Sequence, residues 1–142
     1  EALDGEMFSQ ARFAELIVRG QKTVEVRRVF SPRWTGSSIV VYATAPVRAV
    51  VGTALVARVR SLDAGAIERA YGAALGVSGD ELRAYLAGRA HGWAIELAGV
   101  RRLATPRAVA GVRPPRSYGA IHAGSAWSAF VDRGKGGPRC VA

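Results

Sequence analysis

The sequence predicts an α+β domain, a small curved sheet or barrel with flanking helices. Three observations carry this. Helical and strand patterns are segregated along the chain rather than alternating strand by strand, in the order helix, strands, two helices, strand, basic loop. The longest strand pattern contains a glycine, which marks a bulge or a sharp bend. The chain has 142 residues, 49% of them hydrophobic, which suits one folded domain with one core.

The elements follow in order. Ser9 is placed to cap a first helix, with Phe13, Leu16 and Ile17 at helical spacing and Gly20 at its C′ position. "KTVEVRR", 22–28, then alternates as a strand, with Val24 and Val26 on one face and Thr23, Glu25 and Arg27 on the other. "SPRWTGSS" is a turn-rich connection that exposes Arg33 and Trp34. "IVVYAT", 39–44, is apolar and β-branched, hence a buried strand, and Pro46 breaks it. "VRAVVGTALVARVRSL", 47–62, is a longer strand that bends at Gly52 and is half-buried at its far end.

The period then changes. "DAGAIERAYGAALG" reads as a helix with Ile67, Ala70, Tyr71 and Leu75 on one side. "SGDELRAYLAG" opens with a capping box, Ser78 and Glu81, shows an apolar face of Leu82, Tyr85 and Leu86, and ends at Gly88. "GWAIELAGVRRLA", 92–104, returns to strand character, with Trp93 expected in the core. A loop, 105–124, and a glycine-rich, basic, flexible tail complete the chain, and no internal repeat is visible.

Composition excludes several classes. The apolar runs are too short to span a membrane as helices, and "EALDGEMFSQ" does not resemble a secretory signal. One cysteine, Cys140, forms no intrachain disulfide and fits a cytoplasmic location. His91 and His122 lack partners at metal-ligand spacing, so neither a structural metal nor a cofactor is expected. The net charge is +9, and 8 of the 20 basic residues lie in 101–142, where Asp132 is the sole acid. A basic segment beside aromatic residues suits a polyanion such as RNA.

Lys22 stands out because the chain has 18 arginines and two lysines. A lysine places a compact charge on a phosphate and, unlike arginine, can release its proton when desolvated. Glu25 and Arg27 are two apart and share a strand face, where they can pair while the guanidinium keeps donors for a phosphate or a base edge. Without further context, such a pair reads as a surface salt bridge worth about 0–1 kcal/mol. Arg28 points the other way and is given a minor role. Thr44 ends the second strand and can offer a hydroxyl, and Tyr42 is assigned to packing. Ser117 and Tyr118 can supply a hydroxyl and a stacking ring.

"GQKTVEVRR" fits the G-x-K-x-x-E-x-R pattern of ASCH domains, which belong to the PUA-like superfamily. "IVVYATAPVRAVVG", "GVSGDELRAYLAG", "GWAIELAGVRRLATP" and "PPRSY" resemble further segments of that family in the same order, over roughly residues 9–120. The resemblance implies a small PUA-like β-barrel with flanking helices and a cleft lined by the motif charges. It divides the chain into an N-terminal extension, 1–8, the domain, 9–122, and the tail, 123–142.

Such domains are thought to hold RNA or a nucleotide-like ligand. Some members cut RNA, and others remove an acetyl group from N4-acetylcytidine with a threonine, a lysine and a glutamate. Here Lys22 matches, but Glu25 stands where those members carry threonine, and "YGAALG" has no carboxylate for their glutamate.

The reading is therefore an RNA- or nucleotide-binding module. Its expected contacts are Lys22, Thr23, Glu25, Arg27, Arg33, Trp34, Thr44, Arg116, Ser117 and Tyr118. The alternative is a ribonuclease or nucleoside-amide hydrolase, in which Lys22 and Glu25 would be catalytic. Neither the ligand nor the oligomeric state follows from the sequence.

Overall fold

A computed structural model describes residues 11–108, 119–120 and 140–141. Helix α1, Ala11–Val18, buries Phe13, Ala14, Ile17 and Val18. Gly20 ends it as expected: with φ at 76° its N–H reaches the Ile17 carbonyl at 2.9 Å. Ser9 lies outside the described residues. Four strands follow the expected order: β1, Val24–Arg27; β2, Ser38–Ala43; β3, Ala49–Leu62; and β4, Gly92–Arg107. Helices α2, Ala64–Tyr71, and α3, Gly79–Tyr85, lie between β3 and β4. The helix read over 63–76 thus stops early. At Gly72 the backbone turns to φ 50°, and Gly72–Leu75 tightens into a 3₁₀ turn.

The sheet order is β1-β4-β3-β2, all antiparallel, extended by two short strands, β6, Cys140–Val141, and β5, Gly119–Ala120. Among the described residues the expected barrel does not close. β1 bonds to β4 alone and β5 to β6 alone, so the sheet keeps two edges. Curvature is present without closure. At Val41/Tyr42 the register of β2 against β3 slips by one residue, and at Val50/Gly52 that of β3 against β4 slips by three, the irregularity that Gly52 signalled. Cys140 and Val141 run parallel to Ile39 and Val40 of β2.

Two apolar cores flank the sheet. On one face, α1 packs over Ile39, Val41, Ala54, Val56, Ile95 and Leu97. On the other, Ile67, Leu75, Leu82 and Leu86 cover Val24, Val26 and Ala94. Trp93 packs against the first core, as expected.

Trp34 corrects the sequence reading: it is 3% exposed and belongs to that same core. Ser31 caps the 3₁₀ turn Pro32–Trp34, accepting from the Arg33 N–H at 3.3 Å, and the turn sends the indole inward. The polar neighbours suggested exposure, but a large apolar ring gains more from burial. Arg33 itself stays exposed, its guanidinium 4.8 Å from the indole centroid.

The capping box forms as read, with the Glu81 N–H donating to Ser78 Oγ at 3.1 Å and the Ser78 N–H to Glu81 Oε1 at 3.3 Å. Ser78→Ala is expected to cost about 0.5–2 kcal/mol in urea unfolding. A loss below a few tenths would remove the cap from the account of α3.

Ion pairs fasten α1 at both ends. Arg102 donates to Glu15 Oε2 at 2.8 Å and Arg12 to Glu81 Oε2 at 2.8 Å. The hydrogen bond from Arg102 holds the Glu15 carboxyl below its ordinary 4.5, and that from Arg12 does the same for Glu81. Both folded-state values are lowered. The stability they add is therefore present above the unfolded value and is lost as pH falls through the folded one. Each pair is partly exposed and worth no more than about 1 kcal/mol. Unfolding midpoints measured across the acid range should fall below pH 4.5 in the parent, and less steeply in an E15Q/E81Q variant. Equal slopes would contradict the pairing.

Candidate functional site

Strand alternation places the motif charges. Glu25 lies opposite Ile95 and Arg27 opposite Trp93, so both share the face of the first core. Val24 and Val26 take the other face, as read. The expected surface salt bridge is instead sealed from solvent: Lys22 and Glu25 are 0% exposed and Arg27 is 1%. Lys22 Nζ stands 3.3 Å from Glu25 Oε1, and Arg27 Nε lies 3.9 Å from Glu25 Oε2, beyond hydrogen-bond reach.

The lysine is fixed from three sides. Its ammonium donates to the Leu75 carbonyl at the end of the 3₁₀ turn. It lies 5.3 Å from the Phe13 ring centroid. Gly76, at φ 67°, covers its stem, and a Cβ there would come within 3.1 Å of Lys22 Cβ. Glu25 Oε1 also accepts from the Val26 N–H at 3.0 Å. Its other oxygen, Oε2, is buried with no hydrogen-bond partner among the described residues. A buried carboxylate oxygen left so is costly and calls for a donor.

The structure brings together three of the expected contacts, Lys22, Glu25 and Arg27. Thr23 borders a separate cavity. Thr44 is half-buried at the end of β2, where its carbonyl accepts from the Val47 and Arg48 N–H groups. Arg28 turns away, donating to the Tyr85 carbonyl at 2.8 Å and stacking 4.3 Å from that ring. Arg116, Ser117 and Tyr118 lie outside the described residues. Among the described residues no cluster of His, Cys, Asp or Glu is arranged to hold a metal.

The cavity beside Thr23 went unread in the sequence. It has a volume of about 260 Å³ and opens to solvent, with Val24, Ala70 and Ala74 on its apolar side and Tyr71 and Glu96 as its polar end. The Tyr71 hydroxyl donates to Glu96 Oε2 at 2.6 Å and accepts from Arg60 at 3.3 Å. Arg58 approaches the same carboxylate at 3.8 Å. Burial, aided by the hydrogen bond to Glu96, pushes the Tyr71 phenol above its ordinary 10.0, so it stays a donor at neutral pH. One signal was available: Glu96 is the sole charge in the apolar strand "GWAIELAGV".

The family described as "Domain of unknown function (DUF365)" matches residues 10–112. Among solved structures, the chain resembles the crystal structure of ASCH from Zymomonas mobilis, with 30% identity and a TM-score of 0.71, over 76% of this chain and 80% of that one. The chain belongs to the ASCH family. A Tyr→Phe variant of the Zymomonas protein matches at 29% identity and a TM-score of 0.70, over 76% of this chain and 82% of that one. A Ser→Ala variant gives the same identity and TM-score, over 76% and 80%. No curated protein matches the chain. The likeness is one of fold, an α+β domain with a four-strand antiparallel sheet and three helices. Among the described residues no helix is long and apolar enough to cross a membrane.

Proposed function

We propose that this ASCH-family chain binds RNA or a nucleotide-like ligand through the face of the sheet that carries Lys22, Glu25 and Arg27. The buried Glu25 carboxylate, with Oε2 unpartnered among the described residues, is the observation that carries the reading. Burying ionised side chains does little for stability compared with apolar packing, so recognition is the better explanation for them. A base edge that donates N–H groups satisfies the carboxylate, and the phosphates of the same ligand suit cations. Arg33, Thr44, Arg116, Ser117 and Tyr118 complete the proposed contacts, and the basic 101–142 segment adds phosphate affinity. The triad is sealed, so a ligand enters only when its cover parts, and association is slower than diffusion.

The test uses labelled single-stranded and structured RNA at two salt concentrations, with and without divalent metal. The parent is compared with K22M/E25Q/R27M, which removes the three charges together. Salt-sensitive binding that weakens about tenfold or more in the folded variant supports the proposal. Equal binding by both proteins defeats it. Lys22 Nζ and Glu25 Oε1 also form an amine–carboxylate pair suited to proton transfer. Cleavage products that vanish in the variant would replace the binding reading with a hydrolase.

A further inference from the structure

We infer that the cavity beneath α2 is a second site, a pocket for one unstacked, amino-bearing nucleobase. The inference rests on the nucleic-acid reading above but uses none of the same side chains. The site lies on the opposite face of the sheet: Glu96 pairs across the ladder with Val24, whereas Glu25 pairs with Ile95.

The chemistry of the walls selects the ligand. Val24, Ala70 and Ala74 give the open pocket its apolar side, and Tyr71 and Glu96 its polar one. The cavity, about 260 Å³, falls just below the usual ~300–1,000 Å³ of small-molecule pockets and suits one ring system rather than a stacked pair. The polar end presents acceptors. The Tyr71 proton is committed to Glu96 Oε2, and Glu96 Oε1 has no partner among the described residues. A ligand must therefore bring N–H donors.

The surrounding charge narrows the class. Arg58 and Arg60 flank the single carboxylate, so a cationic amine is repelled, while a neutral base tethered to a phosphate is favoured. Arg58, 3.8 Å from Glu96 Oε2, is 61% exposed and can turn toward a phosphate. Cytosine, adenine and guanine carry an exocyclic amino group for Glu96; uracil offers a carbonyl in the corresponding place and meets a second acceptor. Carboxylate recognition of a base amino group is an established pairing.

The test titrates the full chain with CMP, AMP, GMP and UMP by calorimetry, and with the four matching RNA homo-oligomers by fluorescence anisotropy. The parent should bind the amino-bearing nucleotides about tenfold more tightly than UMP. Glu96→Gln keeps the shape and offers uracil a donor, so the preference should collapse while oligomer binding persists. Ala70→Trp fills the slot from an exposed helix position and should abolish mononucleotide binding with the fold intact by circular dichroism. Oligomers bound without base preference would overturn the pocket and leave the module reading standing. An unchanged preference in Glu96→Gln would overturn it too. Binding of neither nucleotides nor oligomers would sink both readings together.

Discussion

Lys22→Met is expected to lower the free energy of unfolding by about 3–5 kcal/mol, the largest effect of any single change proposed for this chain. The cause is what remains. Glu25 would keep its carboxyl group at 0% exposure, without the ammonium 3.3 Å from Oε1, and the Leu75 carbonyl would lose its donor. Methionine has nearly the lysine's length and flexibility, so a cavity contributes little. K22M/E25Q/R27M should recover most of that loss, because no ionised group is then left buried and alone. Urea denaturation curves for the parent, the single and the triple variant separate these terms by their midpoints. A loss under about 1 kcal/mol in Lys22→Met would mean that water reaches the pair in solution. A triple variant as unstable as the single would make the charges structural and weaken the case for recognition.

Gly52→Ala should follow, with a loss of about 1–3 kcal/mol or more from overpacking. A Cβ at position 52 would lie 2.7 Å from Val18 Cγ1 and in closer conflict with the Arg101 carbonyl. The second obstacle is backbone of the neighbouring strand and cannot turn aside. The clash also sits at the bulge where β3 shifts register against both β2 and β4. Relief would have to come from separating β3 from β4 or from lifting α1, and either exposes part of the first core. Thermal unfolding followed by circular dichroism measures the loss. A midpoint within about 1 °C of the parent would show that the strands part more easily than packed backbone should.

The sequence by itself determined the local elements and the order in which they occur. Alternation put Val24 and Val26 on one face and Glu25 and Arg27 on the other, because a strand repeats every two residues wherever it lies. Ser78 and Glu81 started α3, and Gly20 ended α1, because caps are settled within one turn of chain. Gly52 announced the bulge. The charged motif and four ordered segments were enough to place the chain among ASCH domains.

Tertiary structure decided what lies beyond reach of neighbouring residues. A surface ion pair became a sealed triad, because Leu75 and Gly76, more than fifty positions away, close over Lys22. Trp34, flanked by arginine and threonine, went into the core because α1 and the sheet offered it an apolar pocket. Among the described residues the barrel does not close, since closure depends on which edges meet, and no local pattern encodes that. Tyr71 and Glu96 come from a helix and a strand distant in sequence, so only the packed chain brought them to one cavity, with Arg60 bonded to the phenol. Periodicity and capping act over one turn or one pleat. Burial and the meeting of distant charges depend on the whole chain.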